Sequence, residues 1–223
     1  MPKIIMHNQI SLDGAVSGFQ IDPAQYYISL NKFGATMYLV DSDTVLSGIK
    51  SLSKKIPLEV SSDFQSPVAG KKEIVPWWVI PDSQGRLEGL LHVYRRYEHC
   101  RDVIILVTSK TPDSYISYLD SRNYTYILSG EVNVNFRNVF ELLNQKVPFE
   151  IMITDNDGAL SSILLENAMV DQISLILSPT LTGKNTPKLF RELSLGKRVI
   201  KLEPVNAEIL QNRDILILYN VVK

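Results

Sequence analysis

Short apolar runs rich in Ile, Val and Tyr alternate along the chain with stretches whose apolar residues recur at helical spacing. Short runs bounded by Gly, Pro, Asn or Asp predict strands, and longer periodic stretches predict helices. The predicted strands are 3–10, 37–41, 76–81, 103–108, 124–128, 149–154, 172–178, 198–210 and 214–222. The predicted helices are 23–34, 113–121, 136–146 and 159–168. Strands that alternate with helices favour an α/β fold in which helices flank a sheet.

Two helix starts and the end of the chain carry further signals. Asp113 and Asn135 stand where periodic stretches begin, so each is predicted to cap a helix through a side-chain oxygen. The last segment, 215–222, is almost continuously apolar, which is typical of a central or interface strand. If that strand lies at a sheet edge, pairing of two copies would cover it. We therefore expect a homodimer.

Residues 47–75 mix Ser, Lys, Pro and Gly without clear periodicity and predict a long excursion over the surface. A structureless loop of that length is more often functional than idle, although a mobile loop without a role has equal weight. The adjacent pair Arg95-Arg96 also has two interpretations. It could bind a sugar phosphate as a charged fork, or it could belong to a solvated basic surface.

Composition is that of an ordinary folded protein. A chain of 223 residues with 45% hydrophobic and 21% charged residues can bury one substantial core, and we expect a single domain over 1–223. The formal net charge of −1 gives no electrostatic basis for binding nucleic acid or an anionic membrane, because both attract a basic surface. We expect a small-molecule partner instead.

Candidate metal ligands are few and scattered. Cys100 is the single cysteine, so no intramolecular disulfide can form, and His7, His92 and His99 are widely spread. No metal site is therefore expected. The N-terminus has no long apolar signal segment, and no run approaches the roughly 18 residues that span a bilayer. We expect a soluble, cytoplasmic protein.

The strongest candidate for a ligand site lies within residues 149–183. An apolar strand there runs into a short polar loop, then an apolar-periodic helix and a second buried strand. The first turn of a helix has backbone N–H groups without intrahelical partners, and these can bind an anion such as a phosphate. Residues 155–161 are therefore the first place to look for a ligand. The alternative is an ordinary turn in which Asp155 or Asp157 caps the helix.

Five segments in one order carry a resemblance to a known family. They are 11–14 (SLDG), 41–46 (DSDTVL), 79–87 (VIPDSQGRL), 103–109 (VIILVTS) and 155–183, which contains DNDGAL, VDQ and PTLTG. Together they resemble the reductase domain of riboflavin biosynthesis, a branch of the dihydrofolate-reductase-like fold. The resemblance implies a central, mostly parallel sheet flanked by helices, with an antiparallel pair of C-terminal strands.

The resemblance also implies an activity, the NADPH-dependent reduction of a phosphorylated ribosylaminopyrimidine or pyrimidinone, in which the ribosyl group becomes a ribityl side chain. The nicotinamide would supply the chemistry, and the protein would supply position and a dry cleft. The cofactor-binding residues implied by the resemblance are Thr44, Ser83, Thr108, Asp157, Gly158, Ala159, Leu160 and Ser161. The implied substrate-binding residues are Ser11 and Asp155, and the implied catalytic residue is Asp13.

Asp13 has two interpretations. It could orient a polar pyrimidine or donate a proton through water, because an apolar setting raises the pKa of a carboxyl group. It could instead form a simple Asp-Gly turn with Gly14. Asp155 stands where the family has a substrate-contacting Glu, so its shorter side chain reaches less far.

Four positions depart from the family pattern, in which small residues let the backbone approach a phosphate closely. They are Asp41, Asp43, Asn156 and Asp157. A carboxylate about 4 Å from a phosphate would cost roughly 4 kcal/mol at an effective dielectric of about 20, a loss of about a thousandfold in affinity. Either these side chains turn away or the dinucleotide site is lost. The second case describes a protein of the same fold that binds a pterin-like or pyrimidine-like ligand without catalysis.

Overall fold

A computed structural model describes residues 2–52, 56–66, 75–156 and 158–223. The chain forms two compact units. Unit 1 comprises Met1–Pro2 and Thr36–Glu150, and unit 2 comprises Lys3–Ala35 and Ile151–Lys223. The expectation of one domain over the whole chain stays a prediction.

Each predicted strand and helix has a counterpart, with ends shifted by a few residues. The strands are β1 Lys3–Ser11, β2 Met37–Leu39, β3 Trp77–Pro81, β4 Val103–Val107, β5 Thr125–Leu128, β6 Ile151–Thr154, β7 Gln172–Ser178, β8 Lys201–Ile209 and β9 Ile215–Val222. The α-helices are α1 Pro23–Asn31, α2 Ser42–Leu52, α3 Leu91–Arg96, α4 Asp113–Ser121, α5 Phe136–Lys146 and α6 Ala159–Glu166. A short 3-10 helix covers Ser61–Phe64.

Unit 1 is built on parallel strands in the order β5-β4-β3-β2. Strand β4 reads VIILV and is buried at all five positions, which is typical of a parallel strand covered on both faces. Helices α3 and α4 contribute Leu91, Tyr94, Tyr115 and Leu119 to one buried cluster with Ile105 of β4. The core of unit 1 therefore lies between this strand and its helices.

Unit 2 is built on strands in the order β6-β1-β7-β9-β8. Strands β6, β1 and β7 are parallel, whereas β9 runs antiparallel to both β7 and β8. The mostly parallel arrangement and the antiparallel C-terminal pair are thus confirmed. Because β9 lies between two strands, the prediction of a central strand for 215–222 is confirmed, and β8 is the outer strand.

The sequence pattern does not predict α2 and α3, and it is wrong about the start of the 47–75 loop. Helix α2 extends to Leu52, and its apolar residues Val45 and Ile49 lie one turn apart and are buried. Gly48 lies between them and makes the helical spacing of the apolar residues hard to recognise from the sequence. Packing requires a glycine at this position, because a Cβ there would stand 2.5 Å from the hydroxyl of Tyr94. That hydroxyl donates to Val45 O at 2.9 Å.

Of the two predicted caps, Asn135 is confirmed and Asp113 is wrong. The Asn135 side chain accepts from Asn138 N at 3.2 Å. Helix α4 begins at Asp113 itself, and Pro112 takes the capping position. Asp113 instead lies in the first turn, where its charge interacts favourably with the helix dipole.

The interpretation as a solvated basic surface is wrong for Arg95, which is buried, whereas Arg96 is exposed; both guanidinium groups bind the segment 56–66. Arg95 is buried and forms a two-point ion pair with Asp102, Nε to Oδ1 at 3.0 Å and Nη2 to Oδ2 at 3.2 Å. Its Nη1 donates to Asp63 O at 2.6 Å, and Arg96 Nε donates to Asp63 Oδ1 at 2.7 Å. The described part of the predicted surface loop is therefore anchored by charged groups.

Replacing Arg95 by Leu should destabilise the protein strongly, because Asp102 would stay buried without its counter-charge. Removing one partner of a buried ion pair costs about 3–5 kcal/mol, which urea unfolding followed by circular dichroism measures. Arg137→Leu, at an exposed position of α5, is the control and should change the free energy of unfolding by less than about 0.5 kcal/mol. Equal stability of the two variants would contradict the anchoring role.

Strand β1 carries three consecutive polar residues, His7, Asn8 and Gln9, and all three are buried. His7 Nδ1 lies 2.9 Å from Ser174 Oγ, and the ring centroids of His7 and Tyr26 are 5.0 Å apart. His7 Nε2 is buried and has no hydrogen-bond partner among the described residues. Burial lowers the pKa of His7 to about 4, because the charged ring would lose its hydration.

The lowered pKa of His7 makes stability depend on pH. The unfolded chain takes up a proton near pH 6.5 and the folded chain only near pH 4, so the free energy of unfolding falls as the pH drops through this window. At about 1.4 kcal/mol per pKa unit, the total loss is about 3 kcal/mol. Urea unfolding of the wild type and His7→Gln across the window measures it. Parallel stability curves for the two proteins would contradict the assignment.

Candidate functional site

The predicted site residues of unit 2 lie at or after the carboxyl ends of two parallel strands, β1 and β6, and the parallel strand β7 ends at the same edge. Strand β1 ends at Ser11, β6 at Thr154 and β7 at Ser178, so the segments after them leave at one edge. The ends are staggered, because Thr154 pairs with Met6 whereas Ser178 pairs with Ser11. At about 3.3 Å per residue, the ends of β6 and β1 are roughly 16 Å apart along the strands.

This stagger separates the two residues predicted to bind substrate. Asp155 lies beside Asn8, whereas Ser11 stands three residues further along β1, on its opposite face. The Ser11 hydroxyl donates to Asp13 Oδ1 at 2.6 Å and accepts from Ala15 N at 2.9 Å. The structure does not bring the side chains of Ser11 and Asp155 together. Ser11 holds the turn that follows its own strand.

Asp13 ties this turn to the segment after β7. Its carboxylate accepts hydrogen bonds from the backbone N–H groups of Thr182 at 3.1 Å and Gly183 at 2.9 Å. Lys188 Nζ donates to Asp13 Oδ2 at 2.7 Å and to Gly183 O at 2.9 Å. The carboxylate is therefore surrounded by donors from its own chain.

The expected apolar setting of Asp13 is wrong. Hydrogen bonds from Lys188 and then from Ser11 hold the pKa of the Asp13 carboxyl well below its usual range. A carboxyl group with a lowered pKa is ionised at neutral pH and has no proton to donate. The geometry fits the alternative of an Asp-Gly turn, with Gly14 at a φ of +81°. The sequence pattern misses Lys188, because it lies 175 residues away along the chain.

A second group of polar side chains lies where β6 ends. Asn8 Nδ2 donates to Asp155 Oδ1 at 3.2 Å and to Asn156 O at 3.4 Å. Donation to a carboxylate fixes the orientation of the Asn8 amide, because the reverse orientation would oppose two oxygens. Asn8 Oδ1 is then a buried acceptor that has no partner among the described residues. Such an acceptor suits an N–H or O–H group of a ligand.

Asn8 is the site residue that sequence reasoning misses, although a run of polar residues inside an apolar strand is a usable signal. Asn156, one of the departures from the family pattern, turns into the protein. It is buried, its side chain donates to Thr154 Oγ1, and its carbonyl oxygen accepts from Ser161 Oγ at 2.6 Å. The Asn156 side chain therefore does not obstruct a phosphate.

Helix α6 begins after a glycine at its capping position. Gly158 has a φ of +146° and a ψ of −121°, a conformation that residues with a Cβ rarely adopt. A Cβ added there would stand 3.5 Å from Glu192 Oε1 and 4.0 Å from Arg191 Nη2. Since glycine has no side chain to cap the helix, the positive end of the α6 dipole is suited to an anion.

The other predicted cofactor residues of this loop differ in exposure. Ala159 is exposed and Leu160 is buried. Ser161 is also buried, and its hydroxyl donates to the carbonyl oxygen of Asn156 in the loop. Leu160 and Ser161 would therefore meet a ligand through their backbone. Asp157, predicted as a cofactor contact, lies outside the described residues. Arg191, which the sequence pattern does not indicate, also lies near Gly158, where it is ion-paired with Glu192 at 3.3 Å.

The three hydroxyl residues predicted in unit 1 also follow parallel strands. Thr44 lies in the first turn of α2 after β2, Ser83 follows β3, and Thr108 follows β4. Because these strands are parallel neighbours, their carboxyl ends share one edge. Thr108 Oγ1 is buried and has no partner among the described residues, whereas Thr44 Oγ1 donates to Asp41 Oδ2 at 3.1 Å. Thr108 thus retains a hydroxyl that suits a ligand.

The two acidic residues that replace family glycines have partners within unit 1. Asp41 Oδ1 accepts from Thr44 N at 2.7 Å, so Asp41 caps helix α2. Asp43 is exposed and forms an ion pair with Arg86 at 2.5 Å. The charge of Asp43 is thereby partly neutralised, whereas the carboxylate of Asp41 takes the position at the N-terminus of α2.

The described residues also bear on metal binding and on membrane insertion. They contain no group of His, Cys, Asp and Glu side chains arranged to hold a metal ion. Nor does any helix within them have both the length and the apolar character needed to cross a membrane. Cys100 is buried in the core of unit 1, where its thiol donates to Asp102 O at 3.4 Å.

Comparison with known proteins gives one family. Residues 2–216 match the family model described as the RibD C-terminal domain. A search of curated proteins finds no match. Among solved structures, a pyrimidine reductase-like protein from Corynebacterium diphtheriae gives a TM-score of 0.73 at 13% identity, over 100% of this chain and 92% of that chain. The riboflavin biosynthesis reductase of Saccharomyces cerevisiae gives 0.66 at 15% identity, over 99% and 90%.

Two further structures define the fold. RibD from Acinetobacter baumannii gives a TM-score of 0.68 at 16% identity, and this chain spans 58% of its length. Dihydrofolate reductase from Enterococcus faecalis, complexed with NADP(H), gives 0.51 at 8% identity over 99% of this chain and 97% of that chain. The dihydrofolate-reductase-like α/β fold implied by the sequence is confirmed. Since one family model matches almost the whole sequence, the chain belongs to the RibD C-terminal domain family of riboflavin reductases.

Proposed function

We propose that this protein is an NADPH-dependent reductase of a phosphorylated ribosylaminopyrimidine or pyrimidinone, and that it converts the ribosyl group into a ribityl side chain in riboflavin biosynthesis. Members of the matched family are typically NADPH-dependent oxidoreductases. The observation that carries the proposal for this chain is the start of α6, where Gly158 supports an anion site at the helix N-terminus.

The start of α6 fits the pyrophosphate of a dinucleotide in three respects. Gly158 has no Cβ to hold a phosphate away from the backbone. The helix dipole contributes about 0.3–1 kcal/mol toward a bound anion. The guanidinium of Arg191 lies close to Gly158 and can meet phosphate oxygens where the ligand replaces Glu192, its ion-pair partner in this structure. Gly158–Ser161 would therefore hold the pyrophosphate with their backbone N–H groups.

In unit 1, Thr108 fits a polar ligand at the end of β4. A buried hydroxyl without a hydrogen bond costs about 1–3 kcal/mol, and a ligand that bonds to Thr108 Oγ1 would recover this cost. Ser83 follows the neighbouring strand and is partly exposed. The ion pair between Asp43 and Arg86 reduces the repulsion that a phosphate would meet there.

Asp155 and Asn8 supply the acceptors that an aminopyrimidine requires. The Asp155 carboxylate and the unpartnered Asn8 Oδ1 can accept from ring and exocyclic N–H groups. NADPH supplies the hydride when bound, so the residues of the chain need to bind, orient and exclude water. Asp13 and Ser11 would contribute indirectly, by holding the adjacent turn.

One observation favours a second function. Asp41 caps α2 with its carboxylate, in the segment where the family has glycine. A phosphate brought within about 4 Å of that charge would lose roughly 4 kcal/mol. If this repulsion excludes the dinucleotide, the protein would be a binding protein for a pterin-like or pyrimidine-like ligand, without catalysis.

NADPH should stabilise the wild-type protein against thermal unfolding. At a free concentration 100 times its Kd, the gain is about 2.7 kcal/mol, and nicotinamide fluorescence gives the Kd. Gly158→Ala should weaken binding by about tenfold or more, because a Cβ at a φ of +146° strains the loop by about 1–3 kcal/mol.

Gly34→Ala is the control for that variant. Gly34 also has a positive φ, of +61°, and an added Cβ would have nothing within 4 Å. It should lower stability without changing NADPH affinity. Arg191→Gln should weaken binding, and Arg198→Gln, also exposed on the segment after β7, should not. A thermal shift with a pterin or pyrimidine nucleotide but none with millimolar NADPH would support the binding protein instead.

Lys188→Met should raise the pKa of Asp13 toward its ordinary value of 3.8, because the hydrogen bond from Lys188 is the main cause of the lowered value. A lowered carboxyl pKa stabilises the fold above pH 3.8, and this stabilisation is lost as the pH falls below that value. NMR titration of the Asp13 carboxyl carbon measures the shift. The exposed Lys184→Met is the control and should leave the titration unchanged. An unshifted Asp13 in Lys188→Met would contradict the ion pair.

A further inference from the structure

The polar side chains at the end of β6 use their hydrogen-bond donors on one another. Asn8 Nδ2 donates to Asp155 Oδ1 and to Asn156 O. The side chain of Asn156 donates to Thr154 Oγ1, and Ser161 Oγ donates to Asn156 O. Each of these donors therefore already has an acceptor within the protein.

Oxygen acceptors at the same place have capacity for a ligand. Asn8 Oδ1 is buried and has no hydrogen-bond partner among the described residues. The Asp155 carboxylate offers about four lone-pair positions, and the hydrogen bond from Asn8 Nδ2 takes one of them. Asp155 is partly exposed, whereas Asn8 is 3% exposed. A ligand that reaches both oxygens must bring two hydrogen-bond donors side by side.

The orientation of the Asn8 amide makes this set of acceptors selective. Because an ionised carboxylate only accepts hydrogen bonds, it holds the amide with Nδ2 toward Asp155. Turning the amide over would place Asn8 Oδ1 against a carboxylate oxygen. Asn8 therefore presents a fixed acceptor to a ligand and cannot turn to present a donor.

We infer that Asn8 and Asp155 select the form of the pyrimidine that carries an amino group at C2 and reject the form that carries a carbonyl oxygen there. The inference rests on the proposed reductase function and names its substrate more closely. In a 2-amino-4-pyrimidinone, the ring N3–H and the amine at C2 are adjacent donors. In the 2,4-dione, N3–H lies between two carbonyl oxygens, so one protein acceptor would face an oxygen.

The position of the ribosyl group leaves the edge formed by C2 and N3 for recognition by the protein. The ribosyl group is attached through the amine at C6, which lies opposite N3 in the ring, and its reacting carbon must meet the nicotinamide. The two forms are similar in size and both are neutral. Selection between them must therefore come from hydrogen bonds at C2.

The expected selectivity follows from the burial of the two acceptors. A site that hydrogen-bonds an N–H group can reject an analogue without it by about 10⁴-fold, because buried polar groups are then left unpaired. Asn8 Oδ1 is buried, whereas Asp155 is partly exposed to water, which reduces its contribution. We therefore expect a preference of about tenfold to a hundredfold for the 2-amino form.

Binding of two small pyrimidines to the full chain, without NADPH, tests the inference. The probes are isocytosine, which carries an amine at C2, and uracil, which carries a carbonyl oxygen there. Neither probe has an amine at C6 that would offer a second pair of adjacent donors. NMR titration gives both dissociation constants, and the wild type should bind isocytosine at least about tenfold more tightly than uracil.

Asp155→Asn should abolish this preference. The two amides could then each turn to present a donor or an acceptor, so uracil would be accommodated as well as isocytosine. Asp113→Asn, at an exposed position of α4 in unit 1, is the matched control and should keep the preference of the wild type. Circular dichroism verifies that both variants fold.

Equal binding of the two probes to the wild type, or tighter binding of uracil, would overturn the inference. The reductase function would then still stand if hydride is transferred to the dione. Binding of neither probe, or a preference that Asp155→Asn leaves unchanged, would also overturn the assignment to Asn8 and Asp155. Selective binding of isocytosine without hydride transfer to any pyrimidine would support the selectivity and reject the reductase.

Discussion

The buried strand β1 imposes the constraint on which the rest of unit 2 depends. A polar side chain that loses its water must find partners within the protein, and β1 carries four such residues, all buried. They are His7, Asn8, Gln9 and Ser11, and their partners are Ser174, Asp155, Ser178, Asp214 and Asp13. Each partner lies on another strand or on a loop at a strand end. Satisfying β1 therefore positions β7 and the loops that form the candidate site.

This constraint also explains why the two ends of the site have different chemistry. At the end of β6, Asn8 leaves an unpartnered acceptor beside the carboxylate of Asp155. At the end of β1, by contrast, the carboxylate of Asp13 is occupied by backbone N–H groups and by Lys188. The first arrangement suits recognition of a ligand, and the second suits a rigid turn. A carboxylate in a family motif thus takes its role from its neighbours.

Local patterns in the sequence predict much of the fold and the position of the site. Apolar alternation locates the strands, and the loop before α6 is recognised because Gly158 follows a buried strand and precedes a periodic helix. Gly48 shows where local reasoning fails. It interrupts the apolar pattern of its helix, and the reason for a glycine there is the packing of the distant Tyr94. Arg95 and Asp13 show the same limit, because Arg95 also binds Asp63 O and Asp13 binds Lys188, which lie 32 and 175 residues away along the chain.

The acidic residues that replace family glycines show how geometry changes a sequence argument. From sequence alone, Asp41 and Asp43 appear equally damaging to a phosphate. In the structure Asp43 is paired with Arg86, whereas Asp41 remains at the N-terminus of α2. Among the described residues, the remaining question is therefore the effect of the Asp41 carboxylate on the dinucleotide.

Hydride transfer itself is the most direct test of the reductase. NADPH carrying deuterium at C4 of the nicotinamide would be incubated with the full chain and each phosphorylated ribosylaminopyrimidine or pyrimidinone, and the product would be analysed by mass spectrometry. The account predicts oxidation of NADPH and a ribityl product that carries one deuterium. A pyrimidine that binds the protein while NADPH stays unoxidised and no deuterium is transferred would contradict it.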